Sequence, residues 1–200
     1  MRSAPGAGIV GGHAQTVGMP DSAVAPLEAT DFDTAIGRCA IAWRADAVAR
    51  FSLPGYAPGT GFRGRGEARS VPEPGTGPRA EALARIRAHL DGDLDDLRWI
   101  PLDLTGPPEF HRAVYAVTRA IDPGQTLSYG EVARRCGAAG AAQAVGQALG
   151  SNPIPLIVPC HRVLAADHSL HGFSAPGGID TKSKLLAIER TPGFGEPTLF

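Results

Sequence analysis

The residues best suited to chemistry in this 200-residue chain cluster in "PCHRV", residues 159–163. Cys160 follows the apolar run 154–158 through a proline and stands directly before His161 and Arg162. A thiolate is a strong nucleophile, but a thiol in apolar surroundings is inert unless nearby groups stabilise the anion. His161 and Arg162 are the local candidates for that task. Pro159 disfavours helix at Val158, so the sequence predicts a buried, extended arm leading to Cys160. Neighbouring side chains on extended backbone point apart, so His161 would reach the sulfur through a water. A further acceptor would then have to orient the ring. Three readings of Cys160 stand at this point: a buried structural cysteine, a metal ligand together with His161, His168 and His171, or a catalytic nucleophile. The spacing of the metal set matches no common zinc pattern.

The surrounding elements must hold this stretch in place. "PPEFHRAVYAVTRAI" (107–121) reads as a helix with Phe110, Val114, Val117 and Ile121 on one face. Ser128 and Glu131 form a capping-box pair, which predicts a short helix starting at Tyr129 and closed by Gly137. Residues 141–150, "AAQAVGQALG", read as a second short helix. The pair is a helix-turn-helix candidate, with ordinary helix packing as the alternative. Gln143 and Gln147 are the only long polar side chains on the second helix, which is otherwise slim enough for its backbone to approach a flat surface or a groove.

The first half has a different character. Residues 1–33 are rich in Gly, Ala and Pro without periodicity and read as a disordered extension. Strands are predicted over 38–44, 47–53 and 67–71 and strand followed by turn over 97–106, with a helix in "PRAEALARIRAHLDG" whose Leu83, Ile86 and Leu90 share a face. This region reads as a structural domain without a catalytic constellation. The expected organisation is therefore an extension (1–33), an α/β domain (34–106), a helical domain (107–190) and a tail (191–200). Three widely spaced cysteines, Cys39, Cys136 and Cys160, argue against a disulfide framework. The net charge of −1 advertises no global field for nucleic acid, yet residues 107–190 carry 8 Lys+Arg against 6 Asp+Glu. No stretch approaches the length of a membrane span and no signal sequence opens the chain, so a bacterial cytoplasmic protein without a membrane partner is expected.

Four segments resemble, in order and spacing, the methylated-DNA–protein-cysteine methyltransferases (O6-alkylguanine-DNA alkyltransferases). They are "PLDLTGPPEFHRAVY" (101–115), "GQTLSYGEVA" (124–133), "NP" with "PCHRV" (152–163) and "GFSAPGGIDTKSKLLAIE" (172–189). The resemblance implies an α/β fold: a ribonuclease H-like sheet-plus-helix domain, then a mostly helical domain with a winged-helix-like helix-turn-helix. It implies Cys160 as the alkyl acceptor, His161 as its base through a water, Glu189 orienting His161, and Asn152 supporting the turn. Tyr129 would crowd the DNA backbone and help protonate the leaving guanine. Gly130, Gln143, Phe173, Ser174 and Lys182 would complete the DNA-binding set, on double-stranded and also single-stranded alkylated DNA, in a monomer. The family needs no cofactor, and the zinc site of some relatives is not expected because Cys39 is the only cysteine in the first half.

Two departures from the family pattern stand out. Gln143 replaces an arginine that fills the gap left by a flipped base. "FSAPGG" carries Phe173 for a tyrosine and two extra residues against "YSGG". A second class sharing this scaffold, proteins that bind lesions and signal without transferring the alkyl group, is the alternative function. A cysteine hydrolase would need an oxyanion site, for which the sequence offers no feature.

Overall fold

The computed structural model describes residues 25–55, 68–170 and 172–195. The chain forms an α/β fold with a mixed sheet in its first half and helices around a short two-stranded sheet in its second. The strands of the first half are β1 (Leu27–Thr34), β2 (Gly37–Arg44), β3 (Ala47–Ser52) and β4 (Arg69–Ser70), in the order β3-β2-β1-β4. β1–β2 and β2–β3 pair antiparallel, and β4 joins β1 in parallel. β2 is central, and Cys39 through Trp43 are all buried on it. Period-two alternation turns Cys39, Ile41 and Trp43 to one face, where the main core lies, and the small Ala40 and Ala42 to the other.

Helix α1 (Pro78–Leu90) starts with proline at its first position, where no backbone donor is lost, and Gly92 follows its end at φ 97°. Leu83, Ile86 and Leu90 are buried in the core as their spacing predicts, and so is His89. In the second half come α2 (Glu109–Arg119), β5 (Leu127–Ser128), α3 (Tyr129–Arg135), α4 (Ala142–Gly150), a single 3-10 turn (Cys160–Arg162), β6 (Val163–Leu164) and α5 (Gly178–Ile188). The capping box is formed in both directions. The Glu131 backbone N–H donates to Ser128 Oγ, and the Ser128 N–H donates to the Glu131 carboxylate at 2.7 Å. Gly137 and Gly140 take positive φ in the turn before α4. β5 and β6 pair in parallel, so the start of α3 lies beside the strand that follows Cys160.

Three expectations need correction. Residues 27–33 belong to β1, not to the extension; pairing with β2 and β4 could not be read from a segment whose own composition lacks a strand pattern, and residues 1–24 lie outside the described residues. Segment 97–106 is largely turn and coil. Only Leu102 bridges to Val48, where the Val48 N–H donates to Pro101 O and the Asp103 N–H to Val48 O, both at 2.8 Å. Segment 154–158 is buried but not extended. It closes on itself through Val158 N–H to Ile154 O at 2.9 Å, with Leu156 at φ 75°. Apolar composition reports burial, and a buried turn satisfies that as well as a strand does.

Candidate active site

Asn152 builds the turn that carries Cys160. Its side-chain amide donates to Val158 O at 2.8 Å, and its oxygen accepts the Ile154 N–H at 3.0 Å. The Phe51 N–H of β3 donates to Pro153 O at 2.9 Å, tying the turn to the first-half sheet. The chain then enters the 3-10 turn, so Cys160 and His161 sit on a curl of backbone and not on a straight arm.

Cys160 is only 9% exposed and lies at the base of a cleft of about 400 Å³. Tyr129 at the start of α3, Gly146 and Gly150 on α4, and Phe173 and Ser174 on the loop before α5 line that cleft. Gly146 and Gly150 add no side chain to the cleft, and a Cβ at Gly146 would meet the Tyr129 ring at an ordinary contact distance of 3.9 Å. Burial pushes the Cys160 thiol up, while hydrogen bonding from Asn152 and the charge of Lys182 act in the opposite sense. Cys39, by contrast, is pushed up to about 11 by burial with only Thr34 to oppose it. Of these two buried thiols, only Cys160 has an open cleft, a cation and a histidine as neighbours.

His161 is fully buried, and its Nε2 lies 2.8 Å from Glu189 Oε1. Glu189, immediately after α5, is 1% exposed and is held well below the usual carboxylate range by its donors, against the opposing effect of burial. Arg162 supplies two of these, Nε to Oε2 at 2.9 Å and Nη2 to Oε1 at 2.8 Å. An ionised carboxylate only accepts, so the neutral His161 ring must carry its proton on Nε2. Its Nδ1 is then a lone pair, and that atom is buried without a protein partner. Burial lowers the His161 pKa, and Glu189 opposes that shift. The arrangement is a neutral imidazole with a free acceptor next to a buried thiol, backed by a fixed anion: the constellation of a nucleophile and its general base.

A family model described as 6-O-methylguanine DNA methyltransferase, DNA binding domain, matches residues 109–191. A methylated-DNA–protein-cysteine methyltransferase of Mycolicibacterium paratuberculosis is 46% identical over 121 residues, covering 60% of this chain and 71% of the relative. The chain belongs to the methylated-DNA–protein-cysteine methyltransferase family. The crystal structure of Mycobacterium tuberculosis OGT in complex with DNA superposes with a TM-score of 0.66 at 34% identity, over 83% of this chain and 96% of that one. An archaeal O6-methylguanine-DNA methyltransferase from Pyrococcus kodakaraensis gives a TM-score of 0.59 at 25% identity, over 82% and 98%.

The structure brings together most of the residues that the sequence of this methyltransferase family member points to. Cys160, Tyr129, Phe173 and Ser174 line one cleft, while His161, Glu189 and Asn152 lie behind it. Gln143 is exposed on α4, three and seven residues before Gly146 and Gly150, and so shares their cleft-side face. Gly130 is half-buried in the first turn of α3. Lys182 is not on the surface. It is fully buried, donates from Nζ to Val163 O at 2.7 Å and lies 5.9 Å from the Tyr129 ring centroid, which makes it a group of the pocket interior. Arg162 binds Glu189 in place of the thiolate role that adjacency suggests. His168 is exposed, and His171 lies outside the described residues.

Sequence reasoning missed His89. Its Nε2 lies 3.2 Å from Glu189 Oε1, so the first half does contribute to this cluster. The available signal was a histidine on the face defined by Leu83, Ile86 and Leu90, where an apolar residue is the ordinary occupant.

Proposed function

We propose that this protein repairs DNA by direct reversal, moving a methyl or other alkyl group from guanine O6 to Cys160. The observation that carries the reading is the buried, unpartnered Nδ1 of His161, the residue next to Cys160, while Nε2 is committed to Glu189. A water passes the thiol proton to Nδ1, and Glu189 stabilises the imidazolium that forms. The sulfur attacks the alkyl carbon in line. The S–C bond forms, the C–O6 bond breaks, and its electron pair leaves with guanine. The Tyr129 hydroxyl at the rim of the cleft gives guanine a proton and recovers one from solvent. Lys182 stabilises the thiolate from within the protein.

The product thioether has no carbonyl for water to attack, so each molecule reacts once. A base stacked in duplex DNA cannot reach a 9% exposed sulfur, so the nucleotide must leave the stack, at a cost of a few kcal/mol. The slim face of α4 supports approach through the minor groove, and Gln143 on that face would meet the orphaned partner base. Single-stranded alkylated DNA is accepted as well, by a monomer. We read the two halves as separate domains. The order β3-β2-β1-β4, with β4 parallel to β1, supports a ribonuclease H-like first domain. The α3–α4 pair with the β5–β6 sheet supports a winged-helix-like second one.

The test is intact-mass spectrometry after mixing the protein with one equivalent of duplex containing O6-methylguanine. One methyl group mapped to Cys160, and absent from Cys160→Ala, is the expected result. Lesion-specific binding without transfer would instead make this a sensing protein.

A further inference from the structure

We infer that His89, contributed by α1 from outside the region matched by the family model, is a positioning residue for alkyl transfer. This rests on the alkyl-transfer reading of Cys160 and concerns what fixes its base.

His89 is fully buried, and both of its ring nitrogens have partners. The Asp95 backbone N–H donates to His89 Nδ1 at 3.2 Å. That donor is itself held in place. The Asp95 carboxylate accepts the Leu97 N–H at 2.7 Å and Arg85 Nε at 2.9 Å, so the loop after α1 is buckled around it. A ring nitrogen that accepts carries no proton, so neutral His89 bears its hydrogen on Nε2. Nε2 points at Glu189 Oε1, 3.2 Å away, and donates.

Glu189 therefore receives four hydrogen bonds: one from His89, one from His161 and two from Arg162. Three of these reach Oε1 and one reaches Oε2, so the carboxylate is held at both oxygens. This has two consequences. The carboxylate cannot rotate to offer His161 a different geometry, and it is too weak a base to take the proton from the imidazolium. The proton leaving Cys160 therefore stops on His161, and Nδ1 stays the unprotonated nitrogen of the neutral ring. With His89 removed, Oε1 loses one of its three donors and the carboxylate is held by Arg162 and His161 alone. Groups that orient a metal-bound histidine are worth about tenfold or more, and an effect of that size is expected here.

Two variants and one spectrum test this. His89→Leu fills the space without either hydrogen bond. His89→Gln places an amide N–H toward Glu189. Single-turnover transfer from free O6-benzylguanine isolates the chemistry from base flipping, and nitrogen-15 NMR reads the tautomer of His161. The expected result is about a tenfold slower transfer for His89→Leu, unchanged affinity for lesion duplex, and a shifted nitrogen-15 signal at His161 Nε2, whose acceptor Oε1 has lost a donor. His89→Gln should recover most of the rate and the wild-type signal. His89→Leu with the wild-type rate and an unchanged His161 spectrum would overturn the assignment. Should the leucine variant not fold, the wild-type spectrum decides: a proton on Nδ1 of His89 overturns the proposal and one on Nε2 supports it. If wild type transfers nothing, the alkyl-transfer reading fails separately, and the tautomers still report on His89.

Discussion

Replacing Glu189 with glutamine keeps the size of the side chain but removes its charge and turns one acceptor oxygen into an NH2 donor, and the consequences can be worked from the site. The thiol proton, once transferred, leaves an imidazolium whose Nε2 is 2.8 Å from Glu189 Oε1. With charge centres about 4 Å apart and an effective dielectric of about 20, the attraction is about 4 kcal/mol. A glutamine oxygen still accepts a hydrogen bond and returns about 1 kcal/mol. The net loss of about 3 kcal/mol corresponds to about a hundredfold slower transfer. The same substitution strips Arg162, 1% exposed, of its counter-ion. Breaking a buried pair from one side costs about 3–5 kcal/mol, which for a chain of this size lowers Tm by about 6–20 °C. Rapid-quench single-turnover assays with O6-methylguanine duplex, run well below the lowered transition, separate the two effects. A folded Glu189→Gln protein that transfers within about threefold of wild type would refute the role given to the carboxylate.

Gln143→Arg should speed repair of duplex DNA more than attack on free O6-benzylguanine, and steepen the salt dependence of duplex binding by about one unit. Equal acceleration on both substrates would remove Gln143 from base flipping. Stability should fall as pH drops below about 6.5, because burial holds His161 below its ordinary range and the unfolded chain therefore binds the extra proton. The contribution is complete above about 6.5 and is lost toward the lower folded value. Urea midpoints across that window should slope in wild type and flatten in His161→Gln, and a flat wild-type profile would contradict the buried neutral ring.

Much of this protein is legible from short stretches of sequence. The Ser128–Glu131 pair sets the start of α3 because both capping bonds span three residues, so no distant partner is needed. The face of α1 follows from Leu83, Ile86 and Leu90 in the same way, as does the slimness of α4. By resemblance, the four family segments imply Cys160, His161 and Glu189 as parts of one site. Strand β1 and the shape of 154–158 were beyond such reading. A strand rests on the edge that pairs with it, and an apolar run is equally content as strand or buried turn.

The pocket loop shows the same limit. A Cβ on Gly177 would lie 2.3 Å from Thr181 Oγ1, a contact within four residues. One on Gly55 would lie 2.6 Å from Pro176 Cβ, so the loop with two extra residues leans on a turn more than a hundred positions earlier. Glu189 carries the point furthest. Its partners come from 27, 28 and 100 residues away, and which donors reach it, with which hydrogen, depends on how α1 packs against the second half. Residue types and local spacing made Cys160 and His161 candidates, and the family resemblance implied their roles. Only the tertiary structure decided the proton positions, because a buried hydrogen bond is assigned by whatever group the fold brings within reach, and that distance is not written along the chain.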